Sequence, residues 1–185
     1  MIRETIVTTV NGDGEVHIAP MGVREEAAHV ILAPFRPSTT LENVLTTGCA
    51  TVNFTDDVRV FAGCLTGRRN WPTLPCERIG CVRLQGALSH RELALARVEE
   101  DAQRPRLHMV LVHEQMHGPF LGFNRAQGAV LECAILVSRL HMLPAEKVDT
   151  ELRYLEIAIQ KTAGPSEREA WSWLMERIAA FRADA

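Results

Sequence analysis

Residues 2–23 read IRETIVTTV-NGDG-EVHIAPMGV, and the fold class follows from how this stretch turns back on itself. Ile2–Val10 is β-like, and Glu15–Val23 alternates in part. Between them, Asn11-Gly12-Asp13-Gly14 offers residues that accept positive φ, which tight hairpin turns require. The two runs are therefore expected to pair antiparallel. Moving outward, His29–Phe35 is a third strand candidate. Its Ala33-Pro34 belongs near a strand end, because proline has no N–H to give a ladder. The period then changes, and Ser38–Leu45 reads as a short helix. Ser38 or a neighbouring Thr caps it, and Gly48 stands where it should stop.

Further along, Cys49–Phe54 and Val58–Cys64 read as strands, followed by a long loop from Thr66 to Gly80 that holds Arg68-Arg69-Asn70-Trp71. Cys81–Leu88, Leu93–Glu100 and Leu107–His113 are further strand candidates. After Gly122 the pattern turns helical. Arg125–Leu143 and Val148–Thr162 are expected helices, and Ser166-Glu167-Arg168-Glu169 reads as a capping box opening a third, to about Arg182. Seven or eight short strands followed by three helices make an α+β protein. An antiparallel barrel is preferred over an open sheet, because closure removes the exposed edges of so many short strands. The expected division is a barrel domain, residues 1–121, and a C-terminal helical subdomain, residues 122–185.

With 185 residues, 46% of them hydrophobic and 23% charged, the chain has enough apolar side chain to fill a core. A net charge of -3 leaves no basic excess to neutralise phosphates, so nucleic acid is a poor partner. No run approaches the ~20 apolar residues of a membrane span, and the N-terminus lacks the apolar stretch of a signal peptide. A cytoplasmic protein is expected. The five cysteines are odd in number and show no C-x-x-C spacing, so structural or incidental thiols are expected.

Six segments could carry chemistry. His113-Glu114-Gln115-Met116-His117 matches HExxH, but the zinc hydrolase it spells needs a helix, and the preceding residues look like a strand. Phe35-Arg36-Pro37-Ser38-Thr39-Thr40 places a cation and hydroxyls at a helix N-terminus, where unpaired N–H groups and the helix dipole favour an anion such as phosphate. Ala19-Pro20-Met21-Gly22-Val23 could let a flat ring approach the main chain, or could be a bulge. Asn53-Phe54-Thr55 puts polar groups beside an aromatic at a strand end, which suits an amphipathic ligand or a plain turn. Asn124-Arg125 is either a helix cap or an anion contact, and Glu132 would need a partner if buried. The Arg68–Trp71 loop could close over an anionic or pterin-like molecule, or be solvated surface.

Taken in order, the hairpin, HIAPMGV, FRPSTTLENVL and CATVNFTDDVRVFAG resemble the FMN-binding split-barrel superfamily of flavin reductases and pyridoxamine-phosphate-oxidase-like proteins. With FNRAQGAVLECAILVSRL and the helical tail, the chain looks more closely like a small split-barrel flavoprotein family of archaea and methylotrophic bacteria. The resemblance covers nearly the whole length. It implies FMN as cofactor, with Met21, Gly22 and Val23 lining the isoalloxazine by main chain and Arg36, Ser38, Thr39 and Thr40 holding the phosphate. Asn53, Phe54 and Thr55 would sit near the ribityl chain or ring edge, and Asn124 and Arg125 would complete the site. Superfamily members often place a Lys near the phosphate; here the local cation is Arg36. The resemblance further implies a homodimer with flavin at the interface. The implied activity is an oxidoreductase acting on a small reducible molecule, in association with tetrahydromethanopterin-dependent one-carbon metabolism. A non-catalytic flavin carrier or sensor is the alternative.

Overall fold

The computed structural model describes residues 1–184. The hairpin forms as the turn chemistry dictates: β1 (Ile2–Val10) pairs antiparallel with β2 (Val16–Glu26), from Ile2 opposite Arg24 to Val10 opposite Val16. The chain continues through β3 (His29–Leu32), α1 (Thr39–Thr47), β4 (Cys49–Phe54) and α2 (Val58–Leu65). Then come β5 (Thr73–Pro75), β6 (Val82–Leu84), β7 (Ser89–Glu99), β8 (Arg106–Met116), α3 (Arg125–Ser138), α4 (Ala145–Thr162) and α5 (Pro165–Ala183). Among the described residues, six strands close an antiparallel barrel in the order β1-β2-β3-β8-β7-β4, and β5 and β6 form a separate two-stranded sheet.

Two compact units are present. The first comprises residues 1–55 and 70–120, and the second comprises 56–69 and the chain from Leu121 onward. The expected boundary at 121/122 did not foresee that residues 56–69 pack with the helices; its last residue, Ala185, lies outside the described residues. In the first unit the barrel interior is filled by Val7, Val23, Val30, Leu32, Val52, Leu93, Leu107 and Met109. Leu41 and Val44 of α1 enter the same cluster. β1 is buried on both faces from Thr5 to Val10, because the segment around β5 and β6 lies over its outer side. Polar side chains of β1 and its neighbour β4 bond the covering chain: Thr8 Oγ1 donates to Val82 O at 2.5 Å, and Leu84 N donates to Asn53 Oδ1 at 2.7 Å.

The second unit is helical. Val58–Cys64, expected as a strand, is α2. Asp57 caps it, its Oδ1 accepting the Arg59 N–H at 3.1 Å. Val58 and Ala62, one turn apart, join Val130, Cys133, Leu174 and Ile178 in that unit's core. A short, wholly buried apolar run looks alike as strand or helix, and tertiary packing chose the helix. The cap of α5 also sits two residues earlier than expected. The Glu167 carboxylate accepts the Gly164 N–H at 2.9 Å, while Glu169 pairs with Arg59 at 3.4 Å. Glu132 is exposed and needs no partner. Among the described residues no helix is long and apolar enough to cross a membrane.

Candidate functional site

The barrel is not laced along its whole height. β2 is bonded to β1 over Val16–Arg24 but to β3 only at Arg24, Glu25 and Glu26. The reason is the turn away at Ala33-Pro34: β3 ends at Leu32, and the chain leaves the wall before it could pair with the earlier part of β2. Among the described residues, Ala19–Val23 therefore has a strand neighbour on one side only. An unlaced strand edge exposes main-chain N–H and C=O groups to whatever lies beside it.

The chain that opens this split runs straight into the N-terminus of α1. Ser38 is the N-cap, its Oγ accepting the Leu41 N–H at 3.3 Å. The N–H groups of Thr39 and Thr40 point out of the first turn, where helix geometry gives them no partner within the helix. Thr39 is exposed and Thr40 is buried, so only the first offers its hydroxyl outward. Arg36 pairs with Glu100 at 3.0 Å, and its N–H donates to Gln103 O at 2.8 Å. That second bond brings in the turn between β7 and β8, and with it Arg104. The Arg104 guanidinium lies 4.9 Å above the ring of Phe35, which is 64% exposed, and its Nε donates to Ala33 O at 2.8 Å. Asp101 shapes that turn by accepting the Gln103 and Arg104 N–H groups, which hold its carboxyl below the usual range. The corner thus has two guanidiniums, a free-facing hydroxyl and a helix N-terminus, a donor set that fits an oxyanion. Arg104 was invisible to sequence reading because it lies 68 positions from Arg36 and arrives through a turn contact.

A cleft of about 240 Å³ opens at the barrel mouth formed by the start of β1, the end of β2 and the end of β4. α1 joins the opposite ends of β3 and β4, so the cleft and the α1 corner are separate. Val23, Val30, Val52 and Phe54 give the cleft an apolar lining, with Arg3, Arg24 and Arg91 as its cations. The Arg91 guanidinium lies 5.5 Å from the Phe54 ring centroid and bonds Glu25 at 2.5 Å and Glu114 at 2.9 Å. The Arg91 hydrogen bond, with its charge, holds the Glu25 carboxyl below the usual range.

The remaining expected site residues divide. Met21 packs on the barrel interior while its carbonyl accepts Thr5 Oγ1 at 2.8 Å. Gly22 is needed by β1: a Cβ there would stand 2.8 Å from Ile2 Cγ2, so the close approach at this glycine is made by Ile2. Asn53 is fully enclosed and committed. Its Nδ2 donates to Ile6 O and Thr8 Oγ1, both at 3.0 Å, and its Oδ1 accepts Leu84 N, so its side chain has no exposed atom for a ligand. Thr55 is half-buried. Asn124 and Arg125 belong to the helical unit. Asn124 caps α3 by accepting the Ala126 N–H at 2.7 Å and donates to Thr162 O at 3.1 Å, and Arg125 is exposed.

The HExxH reading fails on secondary structure. His113 lies in β8 and His117 just beyond it, and four residues of strand span ~13 Å, too far for one zinc ion. The Arg68 side chain is held down within its own unit. It lies 4.7 Å over the Trp173 ring and 3.3 Å from Glu176, which favours a packing role over a mobile cation. Cys64 and Cys133 are buried thiols pushed up to about 11 and about 12, chiefly by burial, as inert structural cysteines should be. Cys49, Cys76 and Cys81 lie elsewhere, in the barrel unit.

Two family models match in sequence. The DUF447 N-terminal domain covers residues 3–118, and the following DUF447 model, described as a protein of unknown function, covers 124–176. No curated protein matches significantly. Among solved structures, the FMN-bound protein MM1853 of Methanosarcina mazei superimposes with a TM-score of 0.81 at 22% identity, covering 95% of this chain and 94% of that one. The 2-nitrobenzoate 2-nitroreductase of Pseudomonas fluorescens gives 0.53 at 19% identity over 62% of this chain and 64% of its own. The NADH:FAD oxidoreductase of Streptomyces globisporus gives 0.54 at 12% over 62% and 70%. At these identities the likeness establishes a shared split-barrel fold.

Proposed function

The chain belongs to the DUF447 family, and from that premise we propose that it is an FMN-binding flavoprotein, an oxidoreductase acting on a small reducible molecule. The observation that carries the reading is the split itself: an open β2 edge at Ala19–Val23 beside a helix N-terminus furnished with Arg36, Arg104, Ser38 and Thr39. A mononucleotide has these two needs, an anionic tail to hold and a planar polar-edged head to line. Arg36, Arg104, Thr39 and the first-turn N–H groups would hold the phosphate. Main-chain groups of Met21, Gly22 and Val23 would line the ring. The family resemblance and the FMN reported for the M. mazei protein support the choice of cofactor. When bound, FMN supplies hydride or electron transfer; the chain's own part is to position it and tune it by hydrogen bonds.

The cleft supports the substrate side of the reading. About 240 Å³ falls below the ~300 Å³ from which drug-sized ligand pockets start, so it suits a small molecule better than a whole mononucleotide. Phe54, with the planar Arg91 guanidinium held beside it by Glu25 and Glu114, would favour a flat, polar-edged acceptor such as a pterin, which accommodates the one-carbon association. A homodimer belongs to the same proposal. Leu111, Val112 and Met116 of β8 are 48%, 44% and 75% exposed, apolar side chains that a second copy would cover. Five unbridged cysteines accord with a cytoplasmic location.

The test is direct. Purified protein should show flavin absorbance, and mass spectrometry of the denatured supernatant should return FMN. Replacing Arg36 and Arg104 together by Ala should weaken FMN retention at least ~10-fold, as expected for losing two charge-assisted contacts. Protein that stays colourless after incubation with excess FMN refutes the proposal. Stopped-flow reduction by NADH, NADPH or a deazaflavin donor separates an enzyme from a carrier or sensor.

A further inference from the structure

On the covered outer face of the barrel, three side chains of different donor chemistry converge. His90 and Glu92 are two apart on β7, so both point to one face, and both are completely buried. Cys76 follows β5 and comes down on them from the covering chain. One ligand atom from each lies within 4.8 Å of the others. We propose that Cys76, His90 and Glu92 bind a divalent transition-metal ion of borderline softness, with zinc(II) the fitting occupant.

The geometry is already close to a coordination sphere. His90 Nε2 and Glu92 Oε1 are 3.2 Å apart, and two N/O ligands on a tetrahedral zinc ion stand ~3.3 Å apart. A thiolate, an imidazole and a carboxylate favour zinc or a similar ion over magnesium or calcium, which take oxygen alone. Thiolate and carboxylate together carry two negative charges, so a divalent ion would neutralise the buried site. The supporting contacts match what metal ligands need around them. Glu92 Oε1 accepts the Glu77 N–H at 2.7 Å, and its Oε2 accepts those of Arg78 and Ile79 at 2.8 and 3.1 Å. Thr51 Oγ1 stands 3.1 Å from Cys76 Sγ. The other nitrogen of His90, Nδ1, stands 2.9 Å from Nε2 of His117, at the surface.

Binding also has a defined proton balance. Without metal, the Glu92 carboxylate can only accept, which assigns the proton to His90 Nε2 and leaves Nδ1 to accept from His117 Nε2–H. With metal on Nε2, that proton is displaced and the one shared with His117 moves onto His90 Nδ1, which then donates to His117 Nε2; the exposed His117 takes up a proton on its own Nδ1 in exchange, so the one net proton released is that of the Cys76 thiol. Three protein ligands leave a fourth position for water. The ion would fasten residues 76–79 of the covering chain to β7, which needs no flavin.

The experiment uses the full chain, stripped with a chelator, dialysed, and titrated with Co²⁺ as a spectroscopic probe and Zn²⁺ as competitor. The expected result is one ion per chain on the order of unity, with a thiolate-to-cobalt charge-transfer band that zinc abolishes. Cys76→Ser should remove the band, and His117→Gln should weaken binding ~10-fold while keeping it. In ¹⁵N spectra the His90 tautomer should reverse on adding zinc, which a merely structural histidine would not do. Absence of the band in folded protein, or a band kept in Cys76→Ser and lost in Cys81→Ser, overturns the site. Flavin absorbance recorded on the same samples reports the FMN reading separately.

Discussion

Replacing Asn53 by Ala separates a structural from a ligand-binding role for a residue that sequence order places at the flavin. Its amide is wholly enclosed and joins three chain segments: β1 through Ile6 O and Thr8 Oγ1, its own β4, and β6 through Leu84 N. Truncation leaves the Leu84 N–H buried without its 2.7 Å acceptor, at a cost of ~1–3 kcal/mol, and the Ile6 carbonyl loses a donor as well. Thr8 keeps its own bond to Val82 O, so its loss is small. The total is about 2–4 kcal/mol. With a urea m-value of ~2 kcal/mol/M, the unfolding midpoint should fall by ~1–2 M at unchanged m. Asn53→Asp should be at least as damaging, because a buried carboxylate would face the Ile6 carbonyl oxygen. Far-UV circular dichroism against urea measures the midpoint, and fluorescence titration measures FMN affinity, expected to change less than ~2-fold at low urea. An unmoved midpoint together with lost flavin binding would refute the structural assignment and return Asn53 to the ligand site.

Arg91→Ala should release the Glu25 carboxyl toward its ordinary pKa, read by NMR titration. Because Arg91 keeps the folded-state value below the unfolded ~4.3, the pair's stabilisation is present above that pH and is lost as pH falls through the folded value. The Glu25 side of the pair is exposed to solvent, so the difference from wild type at pH 7 should stay under ~1 kcal/mol and close toward acid. A gap that widens on acidification would contradict the assignment. Arg68→Ala should alter the fluorescence of Trp173 and cost ~0.5–1 kcal/mol, leaving turnover and flavin affinity as they were. Loss of turnover with unchanged stability would restore the loop to the active machinery.

The sequence by itself determined the parts whose cause is local. Asn11–Gly14 turns the first hairpin, Ser38 and Gly48 bound α1, and Pro144 and Gly164-Pro165 punctuate the C-terminal helices, since each acts through the dihedral angles and hydrogen bonds of its own few residues. Their order along the chain was enough to identify the split-barrel type. Tertiary structure decided what depends on partners far away. Val58–Cys64 became a helix because its apolar face meets α3 and α5, a contact that no local propensity encodes. Arg104 reaches the Arg36 corner through a turn, and Asn53 is absorbed by strands before and after it. Cys76, His90 and Glu92 meet only because a covering segment folds onto β7. Hydrophobic periodicity reports which face is buried; it does not report what that face is buried against, and function here rests on the latter.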